Sequence, residues 1–218
     1  MKEKYFTKES ISEKSKNMLK NVSKFIPYKS FEFTPNCSIL LVVDMQKFFI
    51  NETSHAHIPS VRAIIPRIKK LINVYSKNGL PIIFTRHINS KQNANLMEKW
   101  WNNLITAQNS LSQISAEFDI SKGIVLKKSQ YDAFYETSLE KILREKEISQ
   151  IVICGVMTHL CCETTARSAF VRGFEIFFTI DGTATYNENL HLSSLRNLAH
   201  GFATPVISNE IISSIKKI

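Results

Sequence analysis

Six short apolar runs constrain this chain more than any other feature. They are SILLVV (38–43), PIIFT (81–85), GIVLK (123–127), QIVIC (150–154), EIFFTI (175–180) and TPVIS (204–208). Continuous runs of this length suit strands buried on both faces rather than the alternating strands of a half-solvated sheet. Helical patterns lie between them. Val61, Ile64, Ile65, Ile68, Leu71, Ile72 and Tyr75 recur at helical spacing, and Gly79 stands where that helix must end. Thr137 and Glu140 have capping-box spacing and predict a helix through about Lys146. Another helix follows QIVIC, and one runs from about Glu188 to Gly201. Strands alternating with helices predict right-handed crossovers, a six-stranded mainly parallel sheet and helices on both faces, a three-layer α/β/α domain over 37–218. Residues 1–36 read as an N-terminal arm, or a short helix packed on the body.

Several function classes fall away on composition. No apolar run approaches the roughly 20 residues of a membrane-spanning helix. The lysine-rich N-terminus carries Glu3, Glu9 and Glu13 and has no apolar signal core, so the expected location is the cytoplasm. The net charge of +9 comes from scattered lysines without a basic motif interleaved with aromatics, which predicts a solvated basic surface and no nucleic-acid partner. Cys37, Cys154, Cys161 and Cys162 make neither a disulfide framework nor a zinc spacing, and reduced thiols are expected.

In a parallel sheet, ligands sit beyond the carboxyl ends of the strands. Asp44 follows the first run, Arg86 and His87 the second, and Lys127 and Lys128 the third, with Tyr131 and Phe134 just beyond. GVMTHLCC (155–162) follows the fourth. A carboxylate, a lysine and a thiol from three strand ends are the minimal set for nucleophilic acyl chemistry: a base for the thiol proton, a nucleophile, and a cation to hold charge between them. Helix neighbours point about 100° apart, so Cys161 and Cys162 cannot both face one crevice. Cys161 lies nearer the helix N-terminus, where unpaired N–H groups favour a thiolate and can hold an oxyanion. Cys162 is then a small apolar filler, with Cys154 and Cys37 away from the edge.

LLVVDMQKFF, LKKSQYDAF and ICGVMTHLCCETTARSAFVRGF, in this order, resemble the isochorismatase-like hydrolases, a superfamily that includes nicotinamidases, other small-amide hydrolases and siderophore-pathway isochorismatases. The resemblance runs from about Ser38 to the C-terminus. It implies a six-stranded parallel sheet, a small-molecule substrate, and a homo-oligomer, commonly a dimer or tetramer. The Asp–Lys–Cys triad of that superfamily maps onto Asp44, Lys128 and Cys161, with KSQYDAF selecting Lys128 over Lys127. It also implies a cis peptide between Val156 and Met157, aiming the N–H groups of Met157 and Cys161 at the substrate oxygen. Metal-dependent nicotinamidases hold an ion through Asp-x-His and a further His after the second strand. TRHINSKQNAN offers one His and no Asp there, so neither metal nor cofactor is expected.

Two branches compete. GVMTH, MEKWW and the spacing of His191 resemble the siderophore-type isochorismatases, which cleave a vinyl ether with an aspartate acid and no thiol. Cys161 departs from that branch and points to the thiol-using amidases. So does the lack of an arginine ahead of MEKWW. The expected chemistry is hydrolysis of a small carboxamide or related C–N bond, with vinyl-ether hydrolysis by Asp44 and Lys128 as the second reading. A non-enzymatic binding member is the third. Phe48, His57, His87, Tyr131 and Phe134 are the expected pocket wall. His55 reads as a polar rim residue, His159 as a helix-entry residue, and Trp100 and Trp101 as core or interface aromatics, with pocket wall as the alternative.

Overall fold

In a computed structural model, residues 1–101 and 103–216 are described. The six apolar runs form one all-parallel sheet: β1 (Ser38–Val43), β2 (Ile82–His87), β3 (Ile124–Lys128), β4 (Gln150–Val156), β5 (Glu175–Ala184) and β6 (Thr204–Val206). Their spatial order is β3-β2-β1-β4-β5-β6. The chain winds outward from β1 to β3, then returns to lay β4 against the other side of β1. That reversal puts a switch point between β1 and β4, where open parallel sheets bind ligands. All six residues of β1 are buried, as the continuous SILLVV run requires.

The helices flank the sheet: α1 (Ile11–Val22), α2 (Lys47–Ile50), α3 (Val61–Lys77), α4 (Met97–Trp101), α5 (Leu139–Glu145), α6 (Glu163–Val171), α7 (Glu188–Gly201) and α8 (Ser208–Ile215). The apolar stripe of α3 is buried against β5, β1 and β4, and Gly79 takes a φ of 67° just beyond its end. The side chain of Asn187 caps α7 by accepting from Leu190 N at 2.9 Å. No described helix is long and apolar enough to cross a membrane.

The structure corrects four expectations. The strands β2 and β3 run further than their apolar cores, so His87 and Lys128 are the last residues of strands rather than loop residues behind them. Register pairs these two residues directly. The capping box at α5 does not form: Thr137 Oγ1 accepts from Leu139 N at 3.2 Å, but Glu140 turns outward to Arg144 and Arg172. A helix, α8, follows β6; Asp181 accepts from the backbone and hydroxyl of Ser208 at its start, both at 2.7 Å. Finally, β4 leads into a π-helical turn (Thr158–Cys162) before α6, closed by the i−5 bond from Cys162 N to Met157 O at 3.2 Å. The N-terminal segment is anchored: Tyr5, Phe6, Ile11, Met18 and Val22 belong to the main hydrophobic core.

Candidate active site

At the end of β1 the chain turns sharply. Asp44 adopts a φ of 48°, a left-handed conformation that Asp tolerates better than most residues, and its carbonyl accepts from Gln46 N at 2.7 Å. Gly155, paired with Val43 on the neighbouring strand, has a φ of 117°. A Cβ there would sit 2.1 Å from the Val43 carbonyl oxygen, so only glycine lets β4 approach so closely beside Asp44. The next peptide, Val156–Met157, is cis. Gln46 clamps the neighbouring strand end, accepting from His87 N at 2.8 Å and donating to His87 O at 2.9 Å and Ser112 O at 2.8 Å.

These turns bring Asp44, Lys128 and Cys161 together, all buried. Lys128 Nζ lies 2.7 Å from Asp44 Oδ2 and donates to Cys161 Sγ at 3.4 Å. It also donates to Gln130 O at 2.9 Å and contacts His87 Nδ1 at 3.3 Å. An ammonium has no acceptor and only three protons for these four partners, so His87 Nδ1 faces it unprotonated. Its Nε2 then carries the ring proton and donates to Asn89 Oδ1 at 2.9 Å, while Asn89 Nδ2 is fixed on Ser129 O at 2.7 Å. The other oxygen of Asp44 accepts from Thr85 Oγ1 at 2.6 Å, and Asp44 N donates back to that hydroxyl at 3.0 Å.

The charges follow from this geometry. Burial is the largest influence on Asp44 and works to raise its pKa. The Lys128 charge, with hydrogen bonds from Lys128 and Thr85, outweighs it, and the net shift is downward. For Lys128, burial works to lower the pKa; Asp44 and Cys161 outweigh it and the net shift is upward. Burial pushes the Cys161 thiol up to about 12, against the pull of Lys128 and with the help of Asp44. The resting site is therefore carboxylate, ammonium and thiol, and the thiolate expected from a helix N-terminus is not the resting form. His87 is held neutral, its pKa lowered to about 4 by burial and then by Lys128.

The donor atoms of Asp44, His87 and Cys161 lie within 4.8 Å of one another, a spacing that a divalent ion could bridge. The Lys128 ammonium stands among all three, at 2.7, 3.3 and 3.4 Å. It already supplies the positive charge there, so this trio does not fit a metal centre.

Cys161 opens onto a cavity of about 290 Å³ lined by Phe48, Phe49, His55, Ala56, His87, Asn89, Met97, Trp101, Asn103, Ile105, Tyr131, Met157, Leu160 and Tyr186. None of these residues is an aspartate, glutamate, lysine or arginine. Of the expected wall, Phe48, His87 and Tyr131 are present. Phe134 is not: it stacks on Phe174 at 6.0 Å with the Arg172 guanidinium 4.9 Å from its ring, in the core behind the site. His57 is also absent, and its neighbour His55 takes the place, edge-on to Phe48 at 5.2 Å. In an irregular loop no periodicity tells which of two nearby histidines faces inward. Arg86 does not join the site, because it is spent on Ser112 O and Oγ at 2.9 and 2.8 Å. Trp101 is a wall residue whose indole donates to Tyr131 Oη at 2.6 Å, while Trp100 is exposed. Cys162 faces away and is fully buried; Cys154 is buried within β4, and Cys37 lies before β1.

Sequence reasoning missed Thr85, Gln46, Asn89 and the cavity residues Met97, Asn103, Ile105 and Tyr186; for Trp101 the pocket-wall alternative holds. Thr85 and Gln46 are one strand position and two loop positions from residues that were recognised, and only register reveals their contacts.

A parallel α/β protein with a buried carboxylate, ammonium and thiol at its switch point defines a narrow class. The isochorismatase domain model matches residues 38–210, and the chain belongs to that family of hydrolases. It is 34% identical over 195 residues to nicotinamidase 3 of Arabidopsis thaliana, covering 86% of this chain and 94% of that one. It is 27% identical over 183 residues to enterobactin synthase component B of Escherichia coli (strain K12), covering 83% of this chain and 64% of that protein. The fold is similar to that of a cysteine hydrolase from Pseudomonas syringae pv. phaseolicola 1448A, with a TM-score of 0.84 at 24% identity over 88% of this chain and 98% of that one.

Proposed function

We propose that the protein hydrolyses a small, uncharged carboxamide or related C–N bond, with Cys161 as nucleophile, Asp44 as proton carrier and Lys128 as the fixed charge between them. The observation that carries this reading is the Lys128 ammonium 2.7 Å from Asp44 and 3.4 Å from the Cys161 sulfur, beside an apolar cavity. Substrate enters with its carbonyl carbon at the sulfur. Asp44 takes the thiol proton as the C–S bond forms, and the N–H groups of Met157 and Cys161 receive the oxyanion. Asp44 then gives its proton to the leaving nitrogen and the C–N bond breaks, leaving a thioester. Water attacks the thioester, Asp44 takes a proton from it, and cleavage of the C–S bond returns the sulfur to a thiol with that proton. Lys128 stays charged throughout and keeps Asp44 ionised at the start of each half-reaction.

The cavity supports a neutral substrate the size of a single substituted ring, since it lies at the small end of ligand pockets. The identity to a nicotinamidase is consistent with that. The second reading, vinyl-ether hydrolysis of isochorismate by Asp44 and Lys128 alone, draws on the similarity to enterobactin synthase component B. A dicarboxylate would meet no cationic side chain among the described lining residues. Two assays on wild type and Cys161→Ala separate the readings: ammonia release from a panel of neutral aromatic and aliphatic amides, and pyruvate release from isochorismate. Amide hydrolysis lost in Cys161→Ala is expected. Pyruvate release by both proteins would replace the amidase reading with the vinyl-ether one.

A further inference from the structure

The turn that carries Cys161 is tied down through two histidines that the proposed chemistry does not use, His159 of the turn itself and His191 of α7. Thr158 Oγ1, at its first position, is hydrogen-bonded to His191 Nδ1 at 2.9 Å, both residues fully buried. His159, at its second, is bonded through Nδ1 to Thr185 Oγ1 at 2.6 Å. Both lines of support end on the N-terminal segment. The His191 ring packs against Tyr5 at 5.2 Å and edge-on to Phe6 at 5.4 Å. The Tyr5 hydroxyl accepts from Thr185 N at 3.0 Å. Phe6 N is itself pinned to Ser60 Oγ at 3.0 Å, and Glu3 N donates at 2.7 Å to the carbonyl of Tyr186, a cavity residue. Lys2 places its ammonium 4.7 Å from the Tyr186 ring and bonds the carbonyl of His55, another cavity residue.

We propose that His191 and Tyr5 are positioning residues, through which the N-terminal segment fixes the Thr158–Cys162 turn and so the aim of the Cys161 sulfur. This rests on the reading of Cys161 as the nucleophile. The physical basis is that the two side-chain hydrogen bonds of the turn's leading residues both lead to Tyr5. Those two side chains each have a single hydrogen-bond partner, and each partner is held by the same tyrosine. A displacement of about an ångström at a reacting atom costs up to roughly a hundredfold in rate. The contact therefore controls reactivity from outside the cavity.

The test uses the intact protein and iodoacetamide as a thiol probe, with modification of Cys161 followed by mass spectrometry alongside thermal melting. Tyr5→Phe keeps the ring packing and removes only the acceptor for Thr185. His191→Asn keeps an atom able to meet Thr158 near the Nδ1 position, and His191→Ala removes it. Expected is a fall of about fivefold or more in the alkylation rate for Tyr5→Phe and His191→Ala, with His191→Asn restoring most of it. Rates within about twofold of wild type in folded Tyr5→Phe, with only the melting temperature lowered, would overturn the proposal and leave Tyr5 as packing. Should His191→Ala not fold, Tyr5→Phe alone decides. Ammonia release is scored separately: no amide turnover in wild type sinks the amidase reading, whereas slowed alkylation in Tyr5→Phe still supports the positioning role.

Discussion

Lys128 Nζ lies 2.7 Å from Asp44 Oδ2, and both side chains are fully buried. Each charge is tolerated only because of the other, so the pair couples stability to chemistry. Replacing Lys128 with Met leaves an uncompensated carboxylate in the core and should destabilise the fold by about 3–5 kcal/mol in urea titrations. Lys128→Met combined with Asp44→Asn should recover part of that loss. If the double variant is no more stable than the single one, the pair is not what holds the strand ends together.

The same pair sets a pH window. Asp44 has a lowered folded pKa, so its stabilisation is present above the unfolded carboxylate value of about 3.9 and is lost as pH falls through the folded value. Lys128 has a raised folded pKa, so its share is present below about 10.4 and is lost as pH rises through the folded value. Between those limits the site keeps one composition: carboxylate, ammonium, thiol. Alkylation of Cys161 should therefore be nearly independent of pH from about 5 to 9, because Asp44 takes the proton inside the site. It should slow strongly in Asp44→Asn. A tenfold rise per pH unit would mean that the sulfur reacts only as a free thiolate, and that Asp44 is not its base.

In the cavity wall the Trp101 indole donates to Tyr131 Oη at 2.6 Å. Trp101 bears no group that could take or give a proton in the proposed chemistry, so as a wall residue it is expected to contribute equally to ground and transition states. Trp101→Ala should raise KM about tenfold while changing kcat by less than about threefold. A fall in kcat at constant KM would place Trp101 in the chemistry instead.

Most of the framework was legible because burial on both faces leaves continuous apolar runs; β3 is the exception, an edge strand with Ile124 and Val125 exposed. SILLVV marked β1 to the residue, Asp44 and Lys128 directly followed such runs, and Cys161 lay in the segment after QIVIC. The less legible parts share a cause. His87 and Lys128 extend their strands because neighbouring strands pair with them, which polar residues do not announce. The π-helical turn differs from an α-helical start by one hydrogen-bond register, below the resolution of any hydrophobic period. The choice of His55 over His57, and the core position of Phe134, depend on loop paths set by tertiary contacts. His191 stood out by its spacing alone; its partner Thr158 and its packing against Tyr5 join residues far apart in sequence.

Two buried histidines give the acid limb of stability a specific origin. Burial lowers the pKa of His87 to about 4 and that of His191 to about 3, so both remain neutral in the folded protein at mildly acidic pH. In the unfolded chain each titrates near about 6.5. Stability is therefore complete above that value and falls as pH drops toward the folded values, by roughly 1.4 kcal/mol per pH unit for each histidine. Urea titrations of wild type at intervals from about pH 7 to 5 should show a slope of at least about two protons taken up on unfolding, since burial also lowers His159 and His57. In His191→Asn the slope should drop by about one. An unchanged slope in that variant would show that His191 already carries its proton in the folded protein, and that Thr158 is held by an imidazolium rather than a neutral ring.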